Sequence, residues 1–390
     1  MLRQRANPTM IMDIQSAVTF NRSQNTGYSN FYINQLVFTA DEAIPVPSYA
    51  DALPDNLERD TVIVFADDKP LYNWAHPCRY LLFDADSREQ YASIDAEFPP
   101  FFSNDPDEAA FRPFLSPVVA EKRSASGKPV SYPDITQTLY NENGYAILYS
   151  GNSSPSHLND LEFAYRILTR KYGYNPAHIS VLNYNGKLDC FRRRPGGWPG
   201  DGSAYSMVVD GPGDYSHMEQ AFINLAKQLD EHPDASLFIH TSNHGGAEDA
   251  VDKFLLGHGG GFINSTDFGD MLASLPPISQ VLIMMEQCNG GGFIGPILQK
   301  STAAKTAICC ACDAKSTSIS GEFFNPYAMH WLSAINGLDP FGNPLPSNPY
   351  INGVGYISAY TAHQYASNYV PATDNPIFGA HNSGDNSGLG

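Results

Sequence analysis

No apolar run in this 390-residue chain approaches the roughly 20 residues that a membrane-spanning helix needs. The opening stretch, MLRQRANPTMIMDIQSAVTF, starts basic but holds no continuous apolar segment of signal-peptide length. The expectation is a chain with no membrane span and no visible export leader, cytoplasmic by default. Positive charge is also scarce: Lys and Arg number 23 against 41 Asp and Glu, a net charge of −18. Such a surface repels phosphate backbones and anionic lipid, so nucleic acid and membranes are excluded as partners. Cysteine is scarce as well, with six residues, three of which crowd one apolar stretch, AICCAC. Neighbours on one strand cannot easily bridge one another. Cys309, Cys310 and Cys312 therefore read as small strand residues, with no disulfide framework and no zinc site.

What is present is a globular composition. Hydrophobic residues make up 42% and charged residues 16%, enough to bury the core of one large domain or of a domain with an appendage. The character of the chain changes near residue 140. Before it, short β-rich pieces (FYINQLVFTA, DTVIVFA, RYLLFDA) are separated by Pro- and Asp-rich loops, and a Pro- and Ser-rich connector covers 99–134. Within this part Trp74 and Cys78 read as buried and His76-Pro77 as a turn. After it, strands and helices alternate. YAILYS (145–150) leads into a helix with Leu161, Ala164 and Leu168 on one face and Gly173 as its stop. HISVLNY (178–184) is a second strand. SHMEQAFINLAKQL reads as a helix opened by a capping box, Ser216-x-x-Glu219. SLFIHTS (236–242), QVLIMME (280–286) and TAICCAC (306–312) are three more strands, with a short helix near 266–275 and later helices after Asn325-Pro326 and in ISAYTAHQYAS. Uncharged strands alternating with amphipathic helices predict an α/β fold with a parallel sheet covered on both faces. Ligands in such sheets gather beyond the carboxyl ends of the strands.

Two of those ends carry chemistry. SLFIHTS runs into Asn243-His244-Gly245-Gly246, and QVLIMME into Gln287-Cys288-Asn289-Gly290, with His244 and Cys288 44 residues apart. A thiol becomes a competent nucleophile once an imidazole or another positive field favours its thiolate. His244 supplies that base and then an acid for the leaving amine. Glycine-rich backbone after each residue leaves N–H groups unobstructed for an oxyanion, and Gly245 and Cys288 are the donors to name. Singly, a strand-end Cys reads equally as a buried small residue. The joint pattern is what points to chemistry.

The two blocks resemble those of the caspase-like cysteine peptidases, the group of legumain, caspases, metacaspases and gingipains. In that group a hydrophobic strand ends in His-Gly, and a later one ends in an acidic residue or Gln, a small residue, and Cys. YAILYSGN…SHLNDLEFAYRIL, TAICCACDAKS and the tail GVGYISAYTAHQYASNYVPATDNPIFGAHNSGD resemble bacterial legumain-like (C13-type) domains, so that the resemblance covers about 140–390. It implies a three-layer α/β/α sandwich with a mostly parallel central sheet for 140–390. An N-terminal β-rich region or prodomain would occupy 1–139. It implies a cysteine endopeptidase with catalytic Cys288 and His244, acting on protein or peptide substrates, with no cofactor required and Ca²⁺ optional. Three positions depart from the pattern. Gln287 stands where Ala or Ser is usual, and Asn243 where legumains carry Asp. Ser156-His157 occupies the place of an Arg-His pair of the legumain asparagine pocket, so His157 is a substrate-binding candidate and strict asparaginyl specificity does not follow.

Two acids are candidate readers of the P1 side chain. Asp313 matches the legumain pocket acid, and Glu286 matches an acid that metacaspases keep two residues before the Cys. An acidic pocket prefers Arg or Lys by charge pairing, with Asn second. The bland reading makes Glu286 a buried strand-end carboxylate held by backbone amides and Asp313 a turn former. Basic clusters at Lys122, Arg123 and Lys128 and at Arg192, Arg193 and Arg194 are candidate self-cleavage sites of a zymogen. Rival readings are a metal pair at His240 and His244, which lacks an H-E-x-x-H helix, and a catalytically silent caspase-like scaffold.

Overall fold

The computed structural model describes residues 5–23, 29–40, 57–68, 77–96, 111–115, 141–190, 197–247, 253–347, 349, 357–382, 384 and 387–389. The chain divides into two compact units, Met1–Lys122 and Arg123–Gly390. Trp74, His76 and both basic clusters lie outside the described residues.

In the first unit a helix, α1 (Pro8–Ser23), precedes five antiparallel strands: β1 (Asn30–Asn34), β2 (Thr61–Asp67), β3 (Cys78–Asp84), β4 (Gln90–Ala96) and β5 (Phe111–Leu115), in the order β4-β3-β2-β1-β5. The β-rich expectation holds here, and Cys78 is buried. The helix was not predicted. Asn7 caps it by accepting from Met10 N–H, and Ile14 and Val18, four apart, pack on Ile33, Val62, Val64 and Leu81 of one sheet face.

The second unit carries the strands β6 (Gly144–Ser150), β7 (Ile179–Asn183), β8 (Ser236–Thr241), β9 (Gly245–Ala247), β10 (Lys253–Leu256), β11 (Phe262–Asn264), β12 (Gln280–Met285), β13 (Lys305–Cys310) and β14 (Ile377–His381). Its helices are α2 (Pro155–Arg166), α3 (Tyr215–Leu229), α4 (Ser265–Ala273), α5 (Ile294–Lys300), α6 (Pro326–Asn336) and α7 (Ala359–Ser367). The six-stranded sheet runs β14-β13-β12-β8-β6-β7, parallel throughout except for β14. Alternate residues of each strand sort to its two faces. Ala146, Leu148, Phe238, Leu282, Met284 and Cys309 pack with α2, α6 and α7. Tyr145, Ile147, Ile239, Ile283, Met285 and Cys310 pack with α3, α4 and Ile297 of α5. This is the three-layer α/β/α sandwich with a mostly parallel sheet that the sequence implies.

Local details differ. The cap of α3 is Asp214, whose side chain accepts from His217 N–H at 2.9 Å, in place of the predicted Ser216 box. The carboxylate two residues earlier reaches the first turn's N–H groups better than the serine, whose hydroxyl donates to Asp214. Helix α2 begins at Pro155 and continues as a π turn over Ile167–Lys171, and Gly173 ends it with φ +67°. A three-stranded antiparallel ribbon, β11-β10-β9, starts immediately after His244.

Candidate active site

The strand order reverses between β6 and β8, because β7 lies on one side of β6 and β8, β12 and β13 follow on the other. The crevice beyond the carboxyl ends at such a reversal is the natural ligand position of an open α/β sheet. Register fixes what meets there. Strands β8 and β12 pair Thr241 with Met285, an offset of 44 residues, and β12 and β13 pair Met285 with Cys310, an offset of 25. His244, Cys288 and Asp313 each follow three residues beyond those last rungs, in the loops that leave the carboxyl ends of three neighbouring parallel strands.

Each of the three is held by its own loop. Leu256 N–H donates to His244 O at 3.0 Å, which ties the histidine backbone to β10. Asn243 spans the crevice: its Oδ1 accepts from Gly151 and Asn152 N–H, both at 3.1 Å, and its Nδ2 donates to Leu256 O at 2.6 Å. An aspartate at this position would keep the first two bonds and face the Leu256 carbonyl with a second acceptor, so the amide uses both of its ends. Gly245 is required by close approach, since a Cβ there would stand 2.6 Å from Cys288 O and 2.7 Å from Gln287 Cγ.

Cys288 itself is 0% exposed, as is Gln287, whose Oε1 accepts from the Thr241 hydroxyl at 2.7 Å. Asn289 turns the chain with φ +58°, donating from its backbone to Ser316 O and from its side chain to Ala314 O. The glycines that follow are filled differently from the sequence reading. The N–H groups of Gly290, Gly291 and Gly292 donate to Gln287 O, Cys312 O and Asn289 O. A Cβ on Gly291 would meet the Asp313 backbone at 2.8 Å, and one on Gly292 would meet Lys253 Cγ at 2.1 Å. Those glycines admit the chain itself, not a peptide carbonyl.

The two candidate acids part company. Glu286 is fully buried, with Oε2 accepting from Ala328 N–H at 2.8 Å in the first turn of α6 and Oε1 without a hydrogen-bond partner. Burial, reinforced by the Asp160 carboxyl, pushes its pKa well above the usual carboxylate range. It is the strand-end carboxylate of the bland reading. Asp313 is partly exposed, and its carboxylate accepts from Lys315 and Ser316 N–H and from Asn375 Nδ2 at 2.6 Å. Partial burial raises its pKa, but those hydrogen bonds outweigh the effect and leave it below the ordinary value, so the group is held ionised.

His157 is also fully buried. It occupies the third position of α2, where its Nδ1 accepts from Ser154 N–H at 3.1 Å while Ser154 Oγ accepts from His157 N–H. Its ring lies 4.7 Å from that of His244 at an interplanar angle of 77°. His240 points into the interior, with Nδ1 donating to Met284 O. Burial lowers the pKa of His240 to about 4 and of His157 to about 3, so both are neutral at ordinary pH. Among the described residues no cluster of three or more His, Cys, Asp or Glu is grouped to hold a metal. The thiols of Cys309, Cys310 and Cys312 are buried, which pushes that of Cys309 up to about 12 and raises the other two well above the thiol range.

A buried polar network under the site had no sequence signature. Asp160 accepts from Ser242 Oγ at 2.7 Å and from Asn325 Nδ2 at 2.8 Å. Burial raises its pKa well above the usual value. It joins α2, the end of β8 and the start of α6, which are 82 and 165 residues apart in pairing.

No family model and no curated protein matches the chain. Among solved structures it is similar to a protein from Geobacter sulfurreducens, at 15% identity over 61% of this chain and 92% of that one, with a TM-score of 0.40. It is also similar to a secreted C11 cysteine protease from Bacteroides thetaiotaomicron, crystallised with an irreversible peptide inhibitor. There the identity is 13% over 58% of this chain and 57% of that one, with a TM-score of 0.30. At TM-scores this low, the fold class stands on the chain's own topology. No helix among the described residues is long and apolar enough to cross a membrane.

Proposed function

We propose that the Arg123–Gly390 unit is a cysteine endopeptidase in which His244 and Cys288 form a dyad. One observation carries the reading: β8 and β12 are adjacent parallel strands whose 44-residue register offset equals the spacing of the two residues. In this scheme His244 takes the Cys288 proton, and the thiolate sulfur bonds to the peptide carbonyl carbon. The developing oxyanion accepts from Cys288 and Gly245 N–H. The C–N bond then breaks as His244 returns the proton to the amine. Water, deprotonated by His244, next attacks the thioester and releases the acid and the thiol. The preferred P1 residue is Arg or Lys, with Asn second, and Asp313 is the acid that reads it: its carboxylate is held ionised in the loop that follows β13, the strand beside β12. Three accepted hydrogen bonds leave that carboxylate room for a fourth donor. Self-cleavage after Lys122, Arg123 or Lys128, or in the Arg192–Arg194 cluster, follows from the same preference.

A second reading, a catalytically silent caspase-like scaffold, is favoured by the complete burial of Cys288. A thiol-reactive peptide probe with P1 Arg separates the two. An enzyme labels at Cys288, loses labelling in His244→Ala, and loses peptidase activity in Cys288→Ala. No labelling at Cys288 supports the scaffold. A peptide library cleaved only after Asp or apolar residues would reject the P1 assignment, as would an Asp313→Asn variant that keeps its preference for Arg and Lys.

A further inference from the structure

We infer that His157 is a positioning residue that holds the imidazole of His244 in the plane it needs, from behind the site. The inference rests on the dyad reading and adds a third side chain to it, in place of the substrate-contact role that the sequence suggested for His157.

Burial comes first. His157 is 0% exposed, so a peptide side chain does not reach it. What its ring does reach is His244, 4.7 Å away and nearly perpendicular. Edge-to-face packing of this kind favours one orientation of the partner ring. The two residues come from opposite sides of the strand-order reversal, His157 from the loop and helix after β6 and His244 from the turn after β8. The contact therefore ties the base to the crevice itself.

Capping alone does not explain the imidazole. The third position of a helix with a Ser cap is ordinarily filled by Glu or Gln, which reach back to the cap N–H as His157 does here. Because Nδ1 accepts from Ser154 N–H, the ring hydrogen sits on Nε2, and the Asn152 backbone offers the buried ring an acceptor. Glutamine or glutamate at the same position could cap the helix as well but would present no ring to His244. What the imidazole adds to the cap is its edge-to-face contact with the base. Electrostatics permit the role. The titratable rings facing His157 are His240 of β8 and His244, and a neutral His157 and a neutral His240 place no positive charge against a protonated His244.

The test uses the full chain and iodoacetamide, an electrophile too small to need a substrate pocket, with alkylation of Cys288 followed by mass spectrometry across pH. His157→Gln keeps a capping side chain and removes the ring. His157→Phe keeps a ring and removes the cap. The expected result is that His157→Gln retains the wild-type Tm but loses about tenfold of the alkylation rate below the ordinary thiol pKa. His157→Phe should lose Tm yet keep that rate within about threefold. A His157→Gln variant whose rate-pH profile equals that of wild type, in a protein where His244→Ala does change it, overturns this inference alone. A wild type indifferent to His244→Ala, or whose Cys288 resists alkylation altogether, overturns the dyad and this inference with it.

Discussion

The substitution Asn243→Asp turns the amide that spans the crevice into a group whose cost depends on pH. The wild-type side chain is fully buried and makes three bonds, two accepted from Gly151 and Asn152 and one donated to Leu256 O. An ionised carboxylate retains the first two but points a charged oxygen at the Leu256 carbonyl, which already accepts from the Tyr149 hydroxyl. The folded variant is therefore expected to keep the introduced carboxyl protonated, so that its O–H takes over the donation. Holding that proton up to pH 7 against an unfolded-state pKa of about 3.9 costs about 1.4 kcal/mol per pH unit, or ~4 kcal/mol in all. The folded pKa is raised, so the deficit relative to wild type is smallest below about pH 4 and grows as pH rises. At about 2–4 °C per kcal/mol for a unit of this size, the Tm difference at neutral pH is roughly 8–16 °C. Paired thermal unfolding of wild type and variant at pH 4 and pH 7 measures it, with every other titration cancelling in the difference. A deficit that is flat with pH, or that shrinks toward neutrality, would refute the donation from Asn243 to Leu256.

Three further outcomes follow from the same geometry. Gly245→Ala should abolish probe labelling of Cys288, because the new methyl meets the Cys288 carbonyl and the Gln287 side chain, whereas Gly295→Ala should keep it, because nothing lies within 4 Å of a Cβ there; equal losses would contradict this ranking. Glu286→Gln should leave the P1 profile unchanged and raise Tm relative to wild type by an amount that grows above pH ~4.3, since the buried carboxyl's raised pKa gives stability at low pH that is lost on ionisation; a shift of the profile away from Arg and Lys would put Glu286 in the pocket. Arg166→Met should destabilise by about 3–5 kcal/mol, as it strips Glu162 of the guanidinium that also bonds Asp201, Ser203 and Ala204 O; a change of under about 1 kcal/mol in urea unfolding would show that the buried pair is replaceable.

Much of the sheet could be read in advance because parallel neighbours convert spacing into register. The 44 residues between His244 and Cys288 are visible in the sequence, and β8 and β12 are adjacent at that same offset. The burial of Glu286 was not legible, because its partner Ala328 lies 42 residues on, at the start of a helix whose docking no local pattern announces. The glycines after Cys288 misled for a related reason. Small residues look like room, and only the fold shows that Asp313 and Lys253 occupy it. Strand β14 and the β9–β11 ribbon were missed because they are only three to five residues long, too short for an alternation to read.

The parallel sheet also gives the second unit a front and a back. At the amino ends of the strands, Ser236 N–H donates to Asn143 O, Ser279 N–H to Ala235 O and Lys305 N–H to Ser279 O. This stitched rim shares no loop with His244, Cys288 or Asp313, and Asp234 and Ser279 stand exposed along it. A dye, a surface tether or an inserted tag belongs there, where it can report on or hold the molecule without touching the loops that carry those three residues.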